Sequence, residues 1–364
     1  MIKKTKIVVT IGPATESEEI LEKLILAGAD LFRFNLKHNT LDWHKNVIKK
    51  AKAVATRLER QIGIIVDAPR PEIGLEVPEA DFVALSYLKN RAEVDSLRRR
   101  LDEKKMNLGI IAKIENGEAL KNMIEVVESA DGVMVARGDL GIEVPLEELA
   151  FWQKKIIDVC RQKNKPVIVA TQMLQSMVNS QTPTRAEATD VANAVFDGTD
   201  AIMLSEESAI GKYPVEAVEY LYKIAVFCEK NGKVNEIEKR AENTTELLVE
   251  AAEKIVLGSK EIPIAAAIVF SQSGNTAKML SSYRMKIPII VITNNQETLD
   301  LMSLSYGVVP YFKNFGNDQF EIDDPIFNEL TTKGLTNKGE TILVIHGNNW
   351  INSGTTSDIS LKTL

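Results

Sequence analysis

Lys113, Glu115 and Asp139 are the residues from which chemistry is most readily built. Lys113 and Glu115 stand two apart in GIIAKIE (109–115), a short apolar run, so on a strand their side chains share one face. Asp139 follows the next such run, in ARGDLG. Two carboxylates and an ammonium facing one cavity suit a hard divalent cation, Mg²⁺ (or Mn²⁺). Such an ion takes one or two carboxylates and completes its shell with substrate and water. Lys113 would then stabilise an enolate oxygen together with the metal. A purely structural ion-pair cluster is the competing reading of the same three residues. Thr171, ending PVIVATQ (166–172), reads either as a hydrogen-bonding group over a substrate or as a polar strand end. Thr184 and Glu187 have the spacing of a capping box, which makes them a helix start. Near the C-terminus, Ser271, Ser273, Gly274, Asn275 and Thr276 join a strand to a helix. Hydroxyls, a glycine and a helix N-terminus form a phosphate cradle or a turn that binds nothing.

The elements that position these groups are short aliphatic runs. They read IVVTI (7–11), LFRFN (31–35), GIIVDA (63–68), FVALSY (82–87), GIIAKIE (109–115), GVMVARG (132–138), PVIVATQ (166–172) and AIMLSE (201–206). Each is rich in Val, Ile or Leu and short enough for a strand buried on both faces. Amphipathic stretches separate most of them, and strand alternating with helix eight times is the pattern of an α/β (β/α)₈ TIM barrel. Polar residues collect at the C-terminal ends of the runs, the rim where chemistry sits in such barrels: Arg33, Asn35, Asp67, Lys113, Glu115, Arg137, Asp139, Thr171 and Ser205. Between Asp67 and Phe82 there is no helical pattern and there are three prolines. Helix 3 is therefore absent or reduced, and its place on the outer ring would expose apolar strand surface unless another element or subunit covers it. A second alternation, AAAIVFS (265–271), IPIIVIT (287–293), VVPYF (308–312) and ETILVIHG (340–347), marks a small α/β domain. The expected division is a barrel over 1–230 and a second domain over 235–364.

Composition narrows the function classes. A net charge of −7 argues against a nucleic-acid partner. The two cysteines lie far apart, which argues against a disulfide framework or a zinc site. No run reaches membrane-spanning length, so a cytoplasmic protein without a membrane partner is expected.

The stretches TKIVVTIGPAT, IIAKIENGEAL, DGVMVARGDLGIEVP, KPVIVATQMLQSM, PTRAEATDVANAVFDGTDAIMLSEESAIGKYPVEAV and SGTTS resemble pyruvate kinases, densely over about 108–218 and more loosely beyond. The resemblance implies a barrel followed by an α/β C-terminal domain, with a lid (B) domain after strand 3. It implies Glu115 and Asp139 as metal ligands, and Lys113 beside the phosphoryl group and enolate oxygen. It places Thr171 near the enolate methylene, and the N–H groups of Gly138 and Asp139 at the substrate carboxylate. Arg33, Asn35 and Asp67 fall at the phosphate and monovalent-cation site, and Pro13 and His38 where nucleotide base and ribose lie. Arg137 and Ser205, on neighbouring rims, join the substrate-binding set. The turn at 271–276, with Trp350, resembles a sugar-phosphate effector pocket, and a homo-oligomer (tetramer or dimer) is implied.

The departures are specific. The lid domain belongs between Glu72 and Phe82 and is absent. Lys37 stands where the family has a potassium-binding serine, so its ammonium is expected to replace K⁺ beside Asn35 and Asp67. Ala68 replaces a threonine, Glu206 a glycine, and Gly74 the arginine that helps hold the transferring phosphoryl group. Arg70 is a displaced candidate for that arginine's role. What remains binds Mg²⁺, a 2-oxo carboxylate and an enolate, while what covered the nucleotide is depleted. The leading expectation is an enzyme acting on pyruvate or a related 2-oxo acid, by lyase, aldolase or decarboxylase chemistry. The alternatives are a slow, potassium-independent kinase using phosphoenolpyruvate and a nucleotide, and a non-catalytic regulatory subunit or scaffold.

Overall fold

The computed structural model describes residues 3–69, 74–77, 79–259, 261–314, 324–347 and 356–364. They divide into two compact units, Lys3–Ile237 with Ser303–Tyr306, and Glu238–Met302 with Gly307–Leu364.

The first unit is the expected barrel. Eight parallel strands, β1 (Lys6–Ile11), β2 (Leu31–Asn35), β3 (Gly63–Ala68), β4 (Phe82–Leu85), β5 (Gly109–Ile114), β6 (Gly132–Ala136), β7 (Val167–Ala170) and β8 (Ala201–Leu204), close in sequence order. Nearly every strand residue is buried, as runs apolar on both faces require. The helices between them start and stop on local chemistry. Ser17 accepts the Ile20 N–H to open the helix Glu18–Ala27, and Gly28 at φ +114° closes it. The Thr184–Glu187 pair is a complete capping box opening Arg185–Asp197.

The β3–β4 connection supplies the covering element that the sequence leaves open. Leu75, Val77 and Ala80 are buried and belong to the same apolar core as Ile64 and Val66 of β3 and Val83 and Leu85 of β4. The chain covers its own strand surface where helix 3 is reduced, so that surface does not wait for a subunit. Three short apolar side chains, about 1.5–3 kcal/mol each for the larger ones, do the covering that a longer helix does elsewhere on the ring.

The second unit holds a five-stranded sheet in the order β11-β10-β9-β12-β13. Its parallel strands β9 (Ile264–Phe270), β10 (Ile289–Thr293), β11 (Val308–Phe312) and β12 (Thr341–His346) match the four aliphatic runs. The fifth, β13 (Asp358–Thr363), pairs antiparallel with β12 at the edge. Half-exposed and half-polar, DISLKT carries too weak an apolar signal to be read as a strand. Among the described residues, no helix is long and apolar enough to cross a membrane.

Candidate functional site

The C-terminal ends of β2 to β5 bring four charged groups together. The β2–β3 register sets Asn35 opposite Asp67, and Arg33 lies two residues back on β2. Asp67, 2% exposed, accepts from Arg33 Nη2 at 2.5 Å and Nε at 3.1 Å. Lys113 Nζ stands 3.1 Å from Asp67 Oδ2 and 2.8 Å from Glu115 Oε1. Burial penalises the Asp67 charge, but Arg33 and Lys113 outweigh that penalty and hold its carboxyl below the usual range. Glu115 goes the other way. Burial pushes its carboxyl up, Lys113 only partly offsets this, and nearby Asp139 adds to the rise.

Two members of this cluster were missed in the sequence. Ser86 Oγ accepts from Lys113 Nζ at 2.9 Å and donates to Asp67 Oδ1 at 3.2 Å. The Tyr87 N–H donates to Glu115 Oε2 at 2.6 Å. The signal was present: FVALSY was the one barrel run between strands 2 and 8 to which no rim group had been assigned, and it ends in Ser-Tyr. Thr10 of β1 was missed too, its Oγ1 accepting from Arg33 Nη1 at 3.0 Å.

Across the mouth, at β6 and β7, Arg137 is buried and turned into the protein. Its five N–H donors go to the Ala170 carbonyl, Gln153, Asp190, the Thr171 carbonyl and the Met173 sulfur. No donor is left for a substrate, so the sequence expectation of substrate contact gives way to a positioning role. What Arg137 holds is strained: Thr171 and Gln172 lie at φ +68° and +54°. For β-branched threonine that region is a genuine outlier. The Thr171 hydroxyl accepts the Gly138 N–H at 2.9 Å and donates to the Ala170 carbonyl at 2.7 Å. It is thus committed to the backbone that carries Asp139, and the Gly138 N–H is taken by Thr171. Asp139 is partly exposed, and its carboxylate has no hydrogen-bond or ion-pair partner among the described residues.

The pair Glu115–Asp139 fits Mg²⁺. Among the described residues no three His, Cys, Asp or Glu side chains converge into a cage. Two carboxylates near enough for the Asp139 charge to be felt at Glu115, with the Asp139 carboxylate unpartnered among the described residues, match an ion that keeps water and substrate oxygens in its shell. They do not match a fully enclosed structural metal.

The remaining candidates lie as follows. Lys37 is exposed, with its ammonium 5.3 Å from the centroid of the Tyr87 ring, and the charge beside Asp67 comes from Arg33 and Lys113 instead. Asn35 Oδ1 accepts the Lys37 N–H at 3.2 Å. Pro13 and His38 are exposed. Ser205 donates its N–H to buried Glu207, and its own hydroxyl is buried without a partner in the described structure. Glu206 is exposed and accepts from Gln175. Gly74 has no room for a side chain, since a Cβ there would meet Val83 Cγ2 at 2.8 Å. Arg70 and Trp350 lie outside the described residues. In the second unit, Ser271 Oγ accepts the Gly274 N–H at 2.9 Å within the turn, and the Thr276 hydroxyl is engaged by that of Thr356 at 2.8 Å. Ser273 Oγ lies 3.5 Å from the Asn275 N–H, which opens the helix Asn275–Ser282.

His44 anchors the His38 loop. Its Nε2 lies 2.7 Å from the His38 carbonyl, its Nδ1 is buried without a partner, and burial holds its pKa below the ordinary 6.5. The unfolded chain therefore takes up a proton first as pH falls through 6.5, and stability drops with it. Urea midpoints measured from about pH 7.5 down to about pH 5.5 are expected to fall, and His44→Asn to flatten that part of the slope. An unchanged slope in the variant would contradict the assignment.

The family models for "Pyruvate kinase, barrel domain" and "Pyruvate kinase, alpha/beta domain" match residues 2–80 with 73–218, and 224–360. This chain belongs to the pyruvate kinase family. A pyruvate kinase of Staphylococcus aureus strain USA300 is 31% identical over 472 positions, covering 98% of this chain and 80% of the relative. That of the bovine strain RF122 gives 31% over 471 positions with the same coverage. An alignment of 472 positions on a chain of 364 leaves more than a hundred positions of the relative without a counterpart. The barrel match to the pyruvate kinase family breaks at 73–80, directly after β3 and at Gly74.

Proposed function

We propose that this pyruvate kinase family member enolises a 2-oxo acid, pyruvate or a close relative, with Mg²⁺, and uses the enolate in lyase, aldolase or decarboxylase chemistry. The observation that carries the reading is Lys113. The residue is 6% exposed and its ammonium is fixed among Asp67, Glu115 and Ser86, where an oxygen gaining charge would find a donor already oriented. Glu115 and Asp139 would hold the metal. Bound Mg²⁺ supplies positive charge to the carboxylate and carbonyl oxygens of the substrate. Arg33 braces Asp67, and so sets the height of Lys113 in the mouth. Thr171 holds the Gly138 N–H, and so fixes the turn that presents Asp139. The filled space at Gly74 and the break after β3 disfavour efficient phosphoryl transfer, because a clamp on the transferring group and a cover against water are what that reaction leans on.

Exchange of solvent deuterium into the methyl group of pyruvate, followed by proton NMR, tests this. Mg²⁺-dependent exchange well above an Asp139→Ala control is the expected result. Exchange no faster than the control would sink the proposal. A slow kinase is the second reading, favoured by similarity to proteins named pyruvate kinase over almost the whole chain. It requires pyruvate formation from phosphoenolpyruvate and ADP, and Lys37, away from Asp67, would then leave the reaction responsive to potassium.

A further inference from the structure

We propose that Tyr87 and Lys37 form a subsite on the barrel rim for a planar anion, the carboxylate-bearing second reactant of the enolate. The two residues come from turns after β4 and β2 and meet over the end of β3, the strand between them. β3 is also the strand after which the match to the family's barrel model breaks.

Tyr87 is not a casual surface residue. It lies at φ +54°, a conformation that costs a non-glycine residue about 1–3 kcal/mol and persists only when its surroundings impose it. Here the imposing contact is the Tyr87 N–H on buried Glu115, at 2.6 Å. The same strained backbone leaves the ring 57% exposed, one residue from Ser86 and the reacting cluster. An exposed aromatic face beside buried charged groups is a stacking surface for a flat ligand.

Lys37 supplies the charge. Its ammonium is 5.3 Å from the ring centroid, within cation–π range, and this limits the wandering of an otherwise flexible side chain. It has no carboxylate partner among the described residues. Arg33 and Lys113 are already matched by Asp67 and Glu115. Lys37 after β2 and Asp139 after β6, on opposite walls of the eight-stranded barrel, each lack an oppositely charged partner among the described residues. Asp139 suits the metal, and Lys37 suits an anion that comes to it from solution.

The ligand class follows from the pair. A flat carboxylate can lie on the ring and accept from the ammonium, whereas a neutral aldehyde gains only the stacking. The inference rests on the enolate reading for its chemistry, and an oxo acid is the acceptor it selects. The C=C pair of the enolate bonds its methylene carbon to the acceptor's carbonyl carbon while the enolate oxygen re-forms its carbonyl; the acceptor's π pair moves to its own oxygen, which takes a proton from water, and the hydroxide left is neutralised by the proton released on enolisation.

Benzoate is the probe, with benzamide as its neutral isostere, in Mg²⁺-free buffer so that the metal site does not compete. Saturation-transfer NMR on the full chain is expected to detect benzoate but not benzamide. Lys37→Met should weaken benzoate about tenfold, the size of one charge-assisted hydrogen bond. Tyr87→Ala should weaken it and Tyr87→Phe retain it. Equal binding of benzamide, or equal binding of benzoate by Lys37→Met, would overturn the subsite, as would failure of benzoate to bind. Deuterium exchange into pyruvate is read separately. Its failure with benzoate binding intact would remove the enolate chemistry and leave the subsite standing.

Discussion

Lys113→Met should lower Mg²⁺-dependent turnover by about 10³-fold, the loss typical of one preorganised donor at a developing oxyanion. Methionine keeps the length and apolar stem of lysine and removes only the charge. The effect should fall on kcat, because the ammonium gains most when the substrate oxygen gains charge. Stability should fall as well. Glu115, 2% exposed, would lose its ammonium 2.8 Å away and keep only the Tyr87 N–H. Breaking one side of a buried pair costs about 3–5 kcal/mol. The double variant Lys113→Met with Glu115→Gln isolates the stability loss: denaturation should show most of it restored, while activity stays absent because the donor and a proposed metal ligand are both gone. Recovered activity in the double variant would mean that Lys113 acts only as a structural counter-charge, the competing reading of the cluster.

The second large effect is expected at Arg137, which touches no substrate in this scheme. Arg137→Ala would strand the Thr171 carbonyl and leave Gln153 Oε1 and Asp190 without their guanidinium donor, while the Ala170 carbonyl would keep only the Thr171 hydroxyl. Asp190 is itself partly exposed and can be rehydrated, so most of the cost lies with the buried carbonyls and the emptied volume. A loss of about 3–5 kcal/mol by urea denaturation is expected. Arg137→Lys keeps the charge but not the planar fork, and it should fold. Its diagnostic signature is weaker Mg²⁺ binding by titration calorimetry, because the Thr171–Gln172 turn that it no longer pins carries Gly138 and Asp139. Unchanged metal affinity in a folded Arg137→Lys would confine the residue to stability.

Much of the barrel was legible because its strands are buried on both faces and so read as uninterrupted aliphatic runs. The acid–base cluster was legible for a related reason: Lys113, Glu115 and Asp67 are charges at the ends of apolar strands, where a solvated role is least expected. Arg137 and Thr171 were placed at the rim correctly, but the direction of their side chains was not readable. Sequence position does not say whether a guanidinium faces the cavity or the layer behind it, and here Gln153 and Asp190, from two later helices, decide the matter. Ser86 and Tyr87 were passed over because serine and tyrosine at a strand end carry no charge to mark them. The edge strand β13 was invisible because half its side chains face solvent.

The β3–β4 connection bears on how this protein can change. Leu75, Val77 and Ala80 have become part of the barrel's outer core, and Gly74 has moved against Val83 with no space for a side chain. Splicing a foreign domain back into 73–80 would lift those residues off the barrel and bare the flank of β3 and β4. Regaining the lost stretch would therefore require several core substitutions at once, each unfavourable alone. The short connection is thus part of the barrel's packing and not a loop laid over it: the length of chain at this point and the cover of β3 and β4 are set together.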